Sequence, residues 1–544
     1  MPSDISSNRS IEENSEDDFP SSSSSSPLTP SRRETMQRIW LVIFASISTF
    51  FYAGGIYGWG PMQLLLENNG NFASRCDYNY LDDDYGNNQT DTSNMEDDDS
   101  MVCPQQTAAF LNCKFVSQLT LLSGTLWGIL SDKYGKQVLM HVFGHGNIWG
   151  LVLLIIGVRF PQVPMLEEIC LYGAWILMGF GSTVGGMLTV EVGLLFQHDP
   201  KQQNRVISLT SALFDAGALA YLGLWAIEKQ LADGSSLETR PYNIYLIYIL
   251  GGYLCLAVMC IGGYAYLFQK IQHVNMESDA REEEERKQTN EEDDDTNRQS
   301  MTIRMAVDDS LLPITPIEMT EGGEGRVEVD APLQQAQPYI PIAKRSPRDQ
   351  LLSKAYVLMG IWFSWNTISN LWTLTTARDF LGNLGDDEYG NLYLGIFTLL
   401  APFSIIALPF LDVAMNRFGY HVALQVVNAL AIVHGIIQVC FQNLNVQIVG
   451  FVAFTFFRCF LYAVSLSCTA SFIGSNAIGK ATGTLYVLAG LASFVNIGLA
   501  HLATSTGDFL IPNLVFLVGT IPMIYVTYEI GRALEVDSNH QDIR

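Results

Sequence analysis

Long apolar runs recur along the chain and are separated by shorter polar stretches. Twelve runs have roughly 20 residues each, which is enough for a helix to cross a hydrocarbon layer of about 30 Å. The runs are 39–61, 106–130, 138–158, 167–193, 205–228, 243–268, 352–375, 391–411, 421–441, 447–469, 481–503 and 509–530. This pattern predicts an all-α polytopic membrane protein with twelve transmembrane helices, arranged as two pseudo-symmetric bundles of six.

Polar segments divide the chain into five predicted parts. They are a disordered cytosolic tail (1–37), a six-helix bundle (38–269) that carries an acidic extracytosolic loop (69–104), a disordered acidic cytosolic loop (270–350), a second six-helix bundle (351–530) and a cytosolic tail (531–544). The central loop is too poor in apolar residues to fold alone.

The charge of the chain is unevenly distributed. Hydrophobic residues make up 48% of the 544 residues, yet the formal net charge is −25 because acidic residues cluster at 11–19, 81–99 and 278–295. No basic face is present, which argues against nucleic-acid binding. No nucleotide-binding loop, metal-ligand pattern or catalytic triad is visible either, so we expect neither enzymatic activity nor a cofactor or metal. The predicted partners are a small-molecule substrate, the lipid bilayer and regulatory proteins at the central loop.

Lysine and arginine predict the orientation of the chain. If both termini are cytosolic, 23 basic residues lie on the cytosolic side, eleven of them in the central loop, and six lie on the opposite side. This bias agrees with the positive-inside rule. It places Asn88 of an Asn-Gln-Thr triplet outside, where glycosylation is a prediction. A plasma-membrane location is favoured, and a vacuolar or other endomembrane location stays open.

Two of the nine cysteines stand apart from the rest. Cys76 and Cys103 flank an acidic stretch, whereas the other seven lie in apolar runs. A disulfide between Cys76 and Cys103 is one interpretation, and two free thiols are the other.

A short turn occurs twice, once in each half of the chain. "GILSDKYGKQ" (128–137) follows the second apolar run, and "LDVAMNRFGYH" (411–421) follows the eighth. Aligned on their shared aromatic–glycine pair, Asp132 matches Asn416 and Gly135 matches Gly419. Two six-helix halves with the same turn in the same place are typical of a duplicated transporter.

The first copy of this turn resembles the signature loop of the major facilitator superfamily. In physical terms, Gly128 allows two helices to approach closely, Gly135 permits a tight turn, and Asp132 can pair across helices as a latch. The predicted gating residues are Gly128, Asp132, Lys133, Gly135, Lys136, Asn416, Arg417 and Gly419. Because Asn416 replaces the aspartate, we expect the second latch to be weaker or absent. The alternative is a short charged loop that only obeys the positive-inside rule.

Three longer stretches resemble the amino-acid transporters of solute carrier family 43. They are 54–72, 204–217 and 458–490, and Trp372 departs from the pattern where a basic residue is expected. The resemblance implies facilitated, alternating-access transport of neutral, large or branched-chain amino acids. One branch of that family implies nucleobases instead. Transport of another small anion or organic solute, and a non-transporting receptor or scaffold, are the remaining alternatives.

Two ionisable residues lie in the middle of apolar runs. Arg458 interrupts "FVAFTFFRCFLY" (451–462) and Asp215 lies within 205–228. Such groups are costly in a membrane and point to a functional site. Arg458 can grip a carboxylate and Asp215 can accept an ammonium, although a purely structural pair is the rival interpretation. The further candidates for enclosing a substrate are Tyr57, Trp59, Asn366, Asn370 and Tyr462, with Tyr52 and Trp365 as weaker ones.

Overall fold

The computed structural model describes residues 32–53, 59–76, 104–196, 199–233, 244–274, 284, 340–390 and 392–541. Within these ranges the ordered elements are helices and no strand occurs. Three predicted functional residues, Tyr57, Asn88 and Cys103, lie outside the described residues.

Nine α-helices are seen in the described residues of the N-terminal half. They are α1 (Arg32–Ser48, continued by a π-helical turn at Thr49–Ala53), α2 (Trp59–Asn68), α3 (Pro104–Leu119), α4 (Gly124–Tyr134), α5 (Gln137–Arg159), α6 (Pro164–Leu194), α7 (Pro200–Ala216), α8 (Ala218–Asp233) and α9 (Ile244–Val274). Prolines at the first positions of α3, α6 and α7 suit the start of a helix, where the missing N–H has no acceptor to lose.

The C-terminal half contains seven helical segments. They are α10 (Pro347–Leu351), α11 (Lys354–Asn383), α12 (Leu392–Leu400), α13 (Leu408–Cys440), α14 (Leu444–Phe472), α15 (Ile478–Thr506) and α16 (Leu510–Gln541). A 3₁₀ turn at Ala401–Ala407 joins α12 to α13.

The described helices account for all twelve predicted crossings. Nine of them are long and apolar enough to span a membrane, and one of these nine, Phe403–Cys440, reverses direction at Gly419 and so contains two crossings. The two others are the α3–α4 pair and α11, whose polar residues lower their mean hydropathy. The predicted fold class is therefore confirmed.

The structure differs from the predicted boundaries on both sides of the second bundle. Residues 340–350 were expected to be disordered, but they form a 3₁₀ turn (Ile342–Lys344) and α10 against the bundle. Helix α16 continues to Gln541, well past the predicted boundary at 530. Contacts made by Ile342, Gln350 and Asp537, described below, fix both segments.

Each half has its own apolar core, and the two cores exchange residues. The N-terminal core includes Trp175 and Phe143, and the C-terminal core includes Trp362 and Phe457. Ile207 of α7 packs in the C-terminal core, whereas Tyr486 of α15 packs in the N-terminal core. The fifth and eleventh crossings thus connect the halves.

The two copies of the turn adopt the same backbone conformation. Gly135 has φ 94° and ψ 157°, and Gly419 has φ 84° and ψ 169°. These positive φ values favour glycine because a Cβ would be strained there. Lys133 lies over the ring of Tyr134 and Arg417 over that of Phe418, at 5.0 and 5.7 Å from the ring centroids. The internal repeat inferred from the sequence is therefore present in the fold.

Candidate functional site

A buried ion pair joins the two halves. Arg458 Nε of α14 donates to Asp215 Oδ1 of α7 at 3.1 Å, and the two residues are 2% and 1% exposed. Asp215 Oδ2 accepts no hydrogen bond from the described residues. Arg458 and Asp215 are thus paired directly in this conformation, as the structural interpretation of these two residues expects. It leaves one carboxylate oxygen with unused hydrogen-bonding capacity.

Helix α11 brings two asparagines to the same region. Asn370 Nδ2 donates to Tyr462 Oη at 3.1 Å, and Tyr462 lies one turn after Arg458 on α14. Asn366 Nδ2 donates to the Trp362 carbonyl of its own helix at 2.9 Å. Both asparagine side chains are fully buried, and neither Oδ1 atom accepts a hydrogen bond from the described residues. Two polar acceptors are therefore held without a donor in the interior.

Aromatic side chains complete the surroundings of the pair. The Phe363 ring lies 6.1 Å from that of Tyr462 and 6.4 Å from that of Tyr486, both edge-on. Tyr486 of α15 is within electrostatic range of Asp215 and Tyr462. A Cβ on Gly186 of α6 would lie 2.2 Å from Tyr486 Oη, so the glycine makes room for the phenol. Helices α6, α7, α11, α14 and α15 converge here. The central cluster below means the side chains of Asp215, Phe363, Asn366, Asn370, Arg458, Tyr462 and Tyr486.

Several predicted site residues lie elsewhere. Trp59 begins α2, and nothing further is described of its side chain. Trp365, a weaker candidate for enclosing a substrate, donates from its Nε1 to Thr520 Oγ1 of α16 at 3.2 Å and packs beside Trp372 and Phe516. Tyr52 Oη donates to the Tyr253 carbonyl at 3.0 Å within the core of the first half. The weaker aromatic candidates Trp365 and Tyr52 are therefore separate from the central cluster.

The first copy of the turn makes contacts within the first half and across the halves, and its role as a latch stays a prediction. Lys136 Nζ lies 3.1 Å from Asp132 Oδ1 and 2.8 Å from Glu191 Oε1. Asp132 Oδ2 also accepts the backbone N–H of Lys480, at the start of α15, at 3.0 Å. Burial opposes the charge of Lys136, but Glu191 and Asp132 together hold the pKa of its ammonium above the ordinary value. The aspartate thus connects a charged cluster of the first half to the second half.

Glycines bring α4 and α15 into backbone contact beside this latch. A Cβ on Gly128 would lie 2.1 Å from the Gly479 carbonyl oxygen, and one on Gly483 would lie 2.3 Å from the Gly124 carbonyl oxygen. No side chain fits at such distances, so the close approach requires glycine on both helices. The predicted role of Gly128 agrees with this contact. By contrast, Lys133 and Arg417 are exposed over their neighbouring rings and take no part in the latches.

The second copy also forms contacts across the halves, so of the two expected outcomes, a weaker or an absent second latch, the structure leaves the weaker one. Arg205 of α7 pairs with Asp412 of α13 through two hydrogen bonds of 3.1 and 3.2 Å. Asn204 Nδ2 donates to Asn416 Oδ1 at 3.1 Å, and Tyr420 Oη donates to Asn204 Oδ1 at 2.8 Å. Asp412, one turn before Asn416, supplies the charge that the asparagine lacks. Whether this latch is weaker than the first stays a prediction.

Contacts across the halves also occur at the other end of the molecule. The end that holds both turns is called the motif end below, and the other the opposite end. At the opposite end Lys114 Nζ donates to the Leu374 carbonyl at 3.4 Å, and Arg378 Nη1 lies 3.9 Å from Glu67 Oε1. The halves therefore touch at both ends and through the central ion pair in this conformation.

The acidic loop of the opposite end is anchored where it begins. Cys76 is disulfide-bonded, and Cys113, Cys170, Cys255, Cys260, Cys440, Cys459 and Cys468 are free. Its predicted partner Cys103 lies outside the described residues, so that pairing stays a prediction. Asn71 and Phe72 lie just before Cys76 in the chain. Asn71 Nδ2 and Phe72 N donate hydrogen bonds to the fully buried Glu167 of α6, at 2.7 and 2.8 Å.

This arrangement, two repeated six-helix halves that meet at two ends and around a buried polar centre, defines a polytopic membrane protein of the transporter type. A sequence model of the Major Facilitator Superfamily matches residues 109–497. The chain therefore belongs to the major facilitator superfamily, and it is a membrane transporter rather than an enzyme. No curated protein matches the chain at a significant level.

Solved structures share the fold at low sequence identity. A double tryptophan mutant of XylE superposes with a TM-score of 0.57 at 10% identity, covering 92% of this chain and 96% of that one. The E. coli fucose:proton symporter FucP gives 0.52 at 10% identity, with 92% and 99% covered. A bacterial homologue of the iron transporter ferroportin, in an outward-facing state, gives 0.52 at 12% identity, with 91% and 99% covered. These similarities concern the fold alone.

Proposed function

We propose that the protein carries neutral amino acids with large or branched side chains across a membrane by facilitated transport, through alternating access. The observation that supports this substrate is the buried Asp215–Arg458 pair, which connects the two halves at 3.1 Å. The central cluster would be the binding site, and the latches at the motif end and the contacts at the opposite end would alternate in closing it.

The balance of charge in the central cluster favours a zwitterion. Asp215 and Arg458 sum to zero, so a zwitterionic amino acid can insert between them and leave the buried charge still balanced. Its carboxylate would take the guanidinium fork of Arg458, which suits planar bidentate contacts, and its ammonium would take Asp215. An organic anion or cation would instead bring an uncompensated charge into a poorly solvated site, which is costly.

Three buried oxygen atoms without a hydrogen-bond donor among the described residues suit the ammonium of such a substrate. Asp215 Oδ2, Asn366 Oδ1 and Asn370 Oδ1 are all buried and accept no hydrogen bond from the described residues. An ammonium has three N–H donors and no acceptor. Binding would therefore satisfy polar atoms that the empty protein leaves unsatisfied, which is a free-energy gain for the complex.

The aromatic residues of the cluster suit an apolar side chain. Phe363, Tyr462 and Tyr486 lie around the polar groups in edge-on contacts. Burial of a leucine-sized side chain against such a surface contributes about 1.5–3 kcal/mol. Purine nucleobases are the second candidate, because the carboxamides of Asn366 and Asn370 also match the donor and acceptor edges of a base.

The experiment is uptake into proteoliposomes of leucine, two leucine analogues and adenine, each radiolabelled. 3-Methylbutylamine lacks the carboxylate, 4-methylpentanoate lacks the ammonium, and adenine tests the second candidate. The proposal expects uptake of leucine only. Uptake of 4-methylpentanoate as fast as leucine, or of adenine alone, would overturn the amino-acid assignment.

The proposed orientation places the motif end in the cytosol, since 23 of the basic residues then lie on the cytosolic side. The acidic loop before Cys103 would be extracellular in a plasma membrane, with Asn88 as a glycosylation site. Loss of a mass shift on glycosidase treatment in an Asn88→Gln variant, relative to the wild-type protein, would support this placement.

A further inference from the structure

The segment that precedes α11 is held against the motif end by hydrogen bonds. Ile342 N donates to Asp537 Oδ1 of α16 at 2.9 Å. Gln350, which is 0% exposed, donates to the carbonyls of Ala343 and Arg345 at 3.1 and 2.9 Å. These bonds hold residues 340–353, called the docked segment below, against the bundle.

Gln350 also joins the docked segment to the turn before α15. Its Oε1 accepts the backbone N–H of Gly474 at 2.9 Å, and its Nε2 lies 3.4 Å from Asn476 Oδ1. A Cβ on Gly474 would lie 2.5 Å from the Ala343 carbonyl oxygen, so the two backbones touch. Four residues after Asn476, the N–H of Lys480 makes the bond to Asp132 that forms the first latch. The docked segment thus supports the backbone from which the latch is built.

One exposed hydroxyl holds α10 in place. Ser346 Oγ donates to Asp349 Oδ2 at 2.7 Å and accepts the backbone N–H of Asp349 at 3.2 Å. Ser346 itself is exposed, and Pro347 follows it. This reciprocal pair of hydrogen bonds fixes the first turn of α10. Gln350 is the residue after Asp349 on the same helix.

We propose that Ser346 is a phosphorylation site whose modification releases the docked segment and loosens the latch between Asp132 and Lys480. A proline-directed protein kinase would transfer the γ-phosphoryl group of ATP to Ser346 Oγ. The new Oγ–phosphorus bond replaces the bond to the bridging oxygen of ATP, ADP leaves, and the hydroxyl proton passes to a base of the kinase. The proposal rests on the cytosolic placement of the motif end, and it does not depend on the identity of the substrate.

Electrostatics decides the direction of the effect. The phosphate cannot donate a hydrogen bond to Asp349 Oδ2. It also carries a charge of about −2, which lies beside that carboxylate. Lys344, Arg345 and Arg348 surround the serine, but Lys344 and Arg348 are exposed, and Arg345 Nε already donates to the Ile340 carbonyl at 2.8 Å. Exposed ion pairs contribute little. Asp349 is exposed as well, but its Oδ2 lies 2.7 Å from Ser346 Oγ, so the repulsion acts at hydrogen-bond distance and adds to the loss of the bond that holds α10. The docked segment is therefore released rather than tightened.

The test is hydrogen–deuterium exchange on the full-length protein in lipid nanodiscs, before and after treatment with a proline-directed kinase and ATP, with the phosphate located by mass spectrometry. Phosphorylation should speed amide exchange about tenfold in residues 342–353 and 474–482, a change of the size expected when a capped turn is lost. The segment 443–446, at the opposite end, should not change. Because no substrate is needed, the result is independent of the amino-acid proposal.

Two variants separate the steps. Asp349→Asn keeps the backbone N–H and the side-chain shape but removes the charge, so phosphorylation should lose most of its effect there. Ser346→Thr keeps the hydroxyl and should match the unmodified wild type. The proposal is overturned if Ser346 of the intact protein takes up no phosphate while a peptide of residues 338–352 does. It is also overturned if the modified protein shows unchanged exchange in 474–482, or if the Asp349→Asn variant responds as strongly as the wild type.

Discussion

Asp215 Oδ1 and Arg458 Nε lie 3.1 Å apart, on helices of opposite halves, with both side chains almost completely buried. An ion pair in this place costs desolvation free energy on both partners. Apolar residues of similar size would pack there without that cost. The proposed role in transport would explain why the pair is kept, and its effects on stability and on transport can be measured separately.

Removing one partner should destabilise the protein, and removing both should not. Asp215→Leu deprives a buried guanidinium of its carboxylate, which costs about 3–5 kcal/mol, whereas replacing both partners with apolar residues is often neutral. We expect a lowered melting temperature for Asp215→Leu and recovery in the Asp215→Leu/Arg458→Leu double variant. Leucine uptake should be lost in both. A double variant that transports at the wild-type rate would show that the pair is only structural.

The asparagine of the second turn has a physical reason to be uncharged. Asn416 Nδ2 donates to Asp412 Oδ1 at 2.6 Å, and Asp412 is engaged by Arg205. Asn416→Asp restores the charge of the first copy but places two carboxylates one helical turn apart, which is unfavourable. We expect Asn416→Asp to slow transport several-fold, with the melting temperature nearly unchanged because the site is partly exposed. An increase in rate would contradict this account of the second latch.

Charge exchange gives an independent test of the same latch. Arg205→Asp and Asp412→Arg should each slow transport, and the double variant should regain part of the rate since the pair is re-formed with reversed sign. Exposed pairs contribute little to stability, so the melting temperature should change little in any of the three. Equal loss in the double variant and the single variants would mean that the pair does not link the halves.

Glycine contacts between α4 and α15 should be required for closing the motif end. Gly128→Ala places a methyl group 2.1 Å from the Gly479 carbonyl oxygen, so the two helices must separate. We expect at least a tenfold loss of uptake, which corresponds to about 1.4 kcal/mol. Gly223→Ala on α8 is the matched control, because a Cβ there meets nothing within 4 Å. If both variants transport equally well, the close approach is not needed.

The disulfide at Cys76 should stabilise the opposite end. If its partner is Cys103, the closed loop has about 28 residues, and chain entropy predicts a contribution of about 3–4 kcal/mol. Cys76→Ser and Cys103→Ser should lower the melting temperature to the same extent. Cys440→Ser, a free and exposed cysteine, should not. A fall for Cys76→Ser alone would indicate another partner.

Much of the fold could be predicted from the sequence because the membrane imposes a length and a polarity on each crossing. The apolar runs, the repeated turn and the lone charges of Arg458 and Asp215 all follow from that constraint. Their direct pairing was foreseen as one of two interpretations. Asn370 is hydrogen-bonded to Tyr462, one turn after Arg458, but a part in substrate binding stays a prediction for both and for Asn366.

Other parts carried no signal that distinguishes them from ordinary core or loop residues. Tyr486 is one aromatic residue among many in apolar runs, and only the packing of α15 against the core of the first half brings it near Asp215. The role of Gly186, which is to make room for the phenol of Tyr486, is visible only in the folded structure. Asp412 lies within the second copy of the turn, but the alignment matches it to the uncharged Gly128 of the first copy. Residues 344–350 are mostly polar, and the segment 340–350 is ordered by hydrogen bonding to distant residues such as Asp537 and by burial of Ile342.

The most direct test of the account is equilibrium binding of leucine to the purified protein and to Arg458→Lys. Lysine keeps the positive charge beside Asp215, so the variant should fold, but it lacks the planar fork that holds a carboxylate. Arg205→Lys, at the exposed second latch, is the matched control. The account predicts that leucine binds to the wild type and to the control, and at least tenfold more weakly to Arg458→Lys, with melting temperatures alike. Equal leucine affinity in the wild type and Arg458→Lys would contradict it.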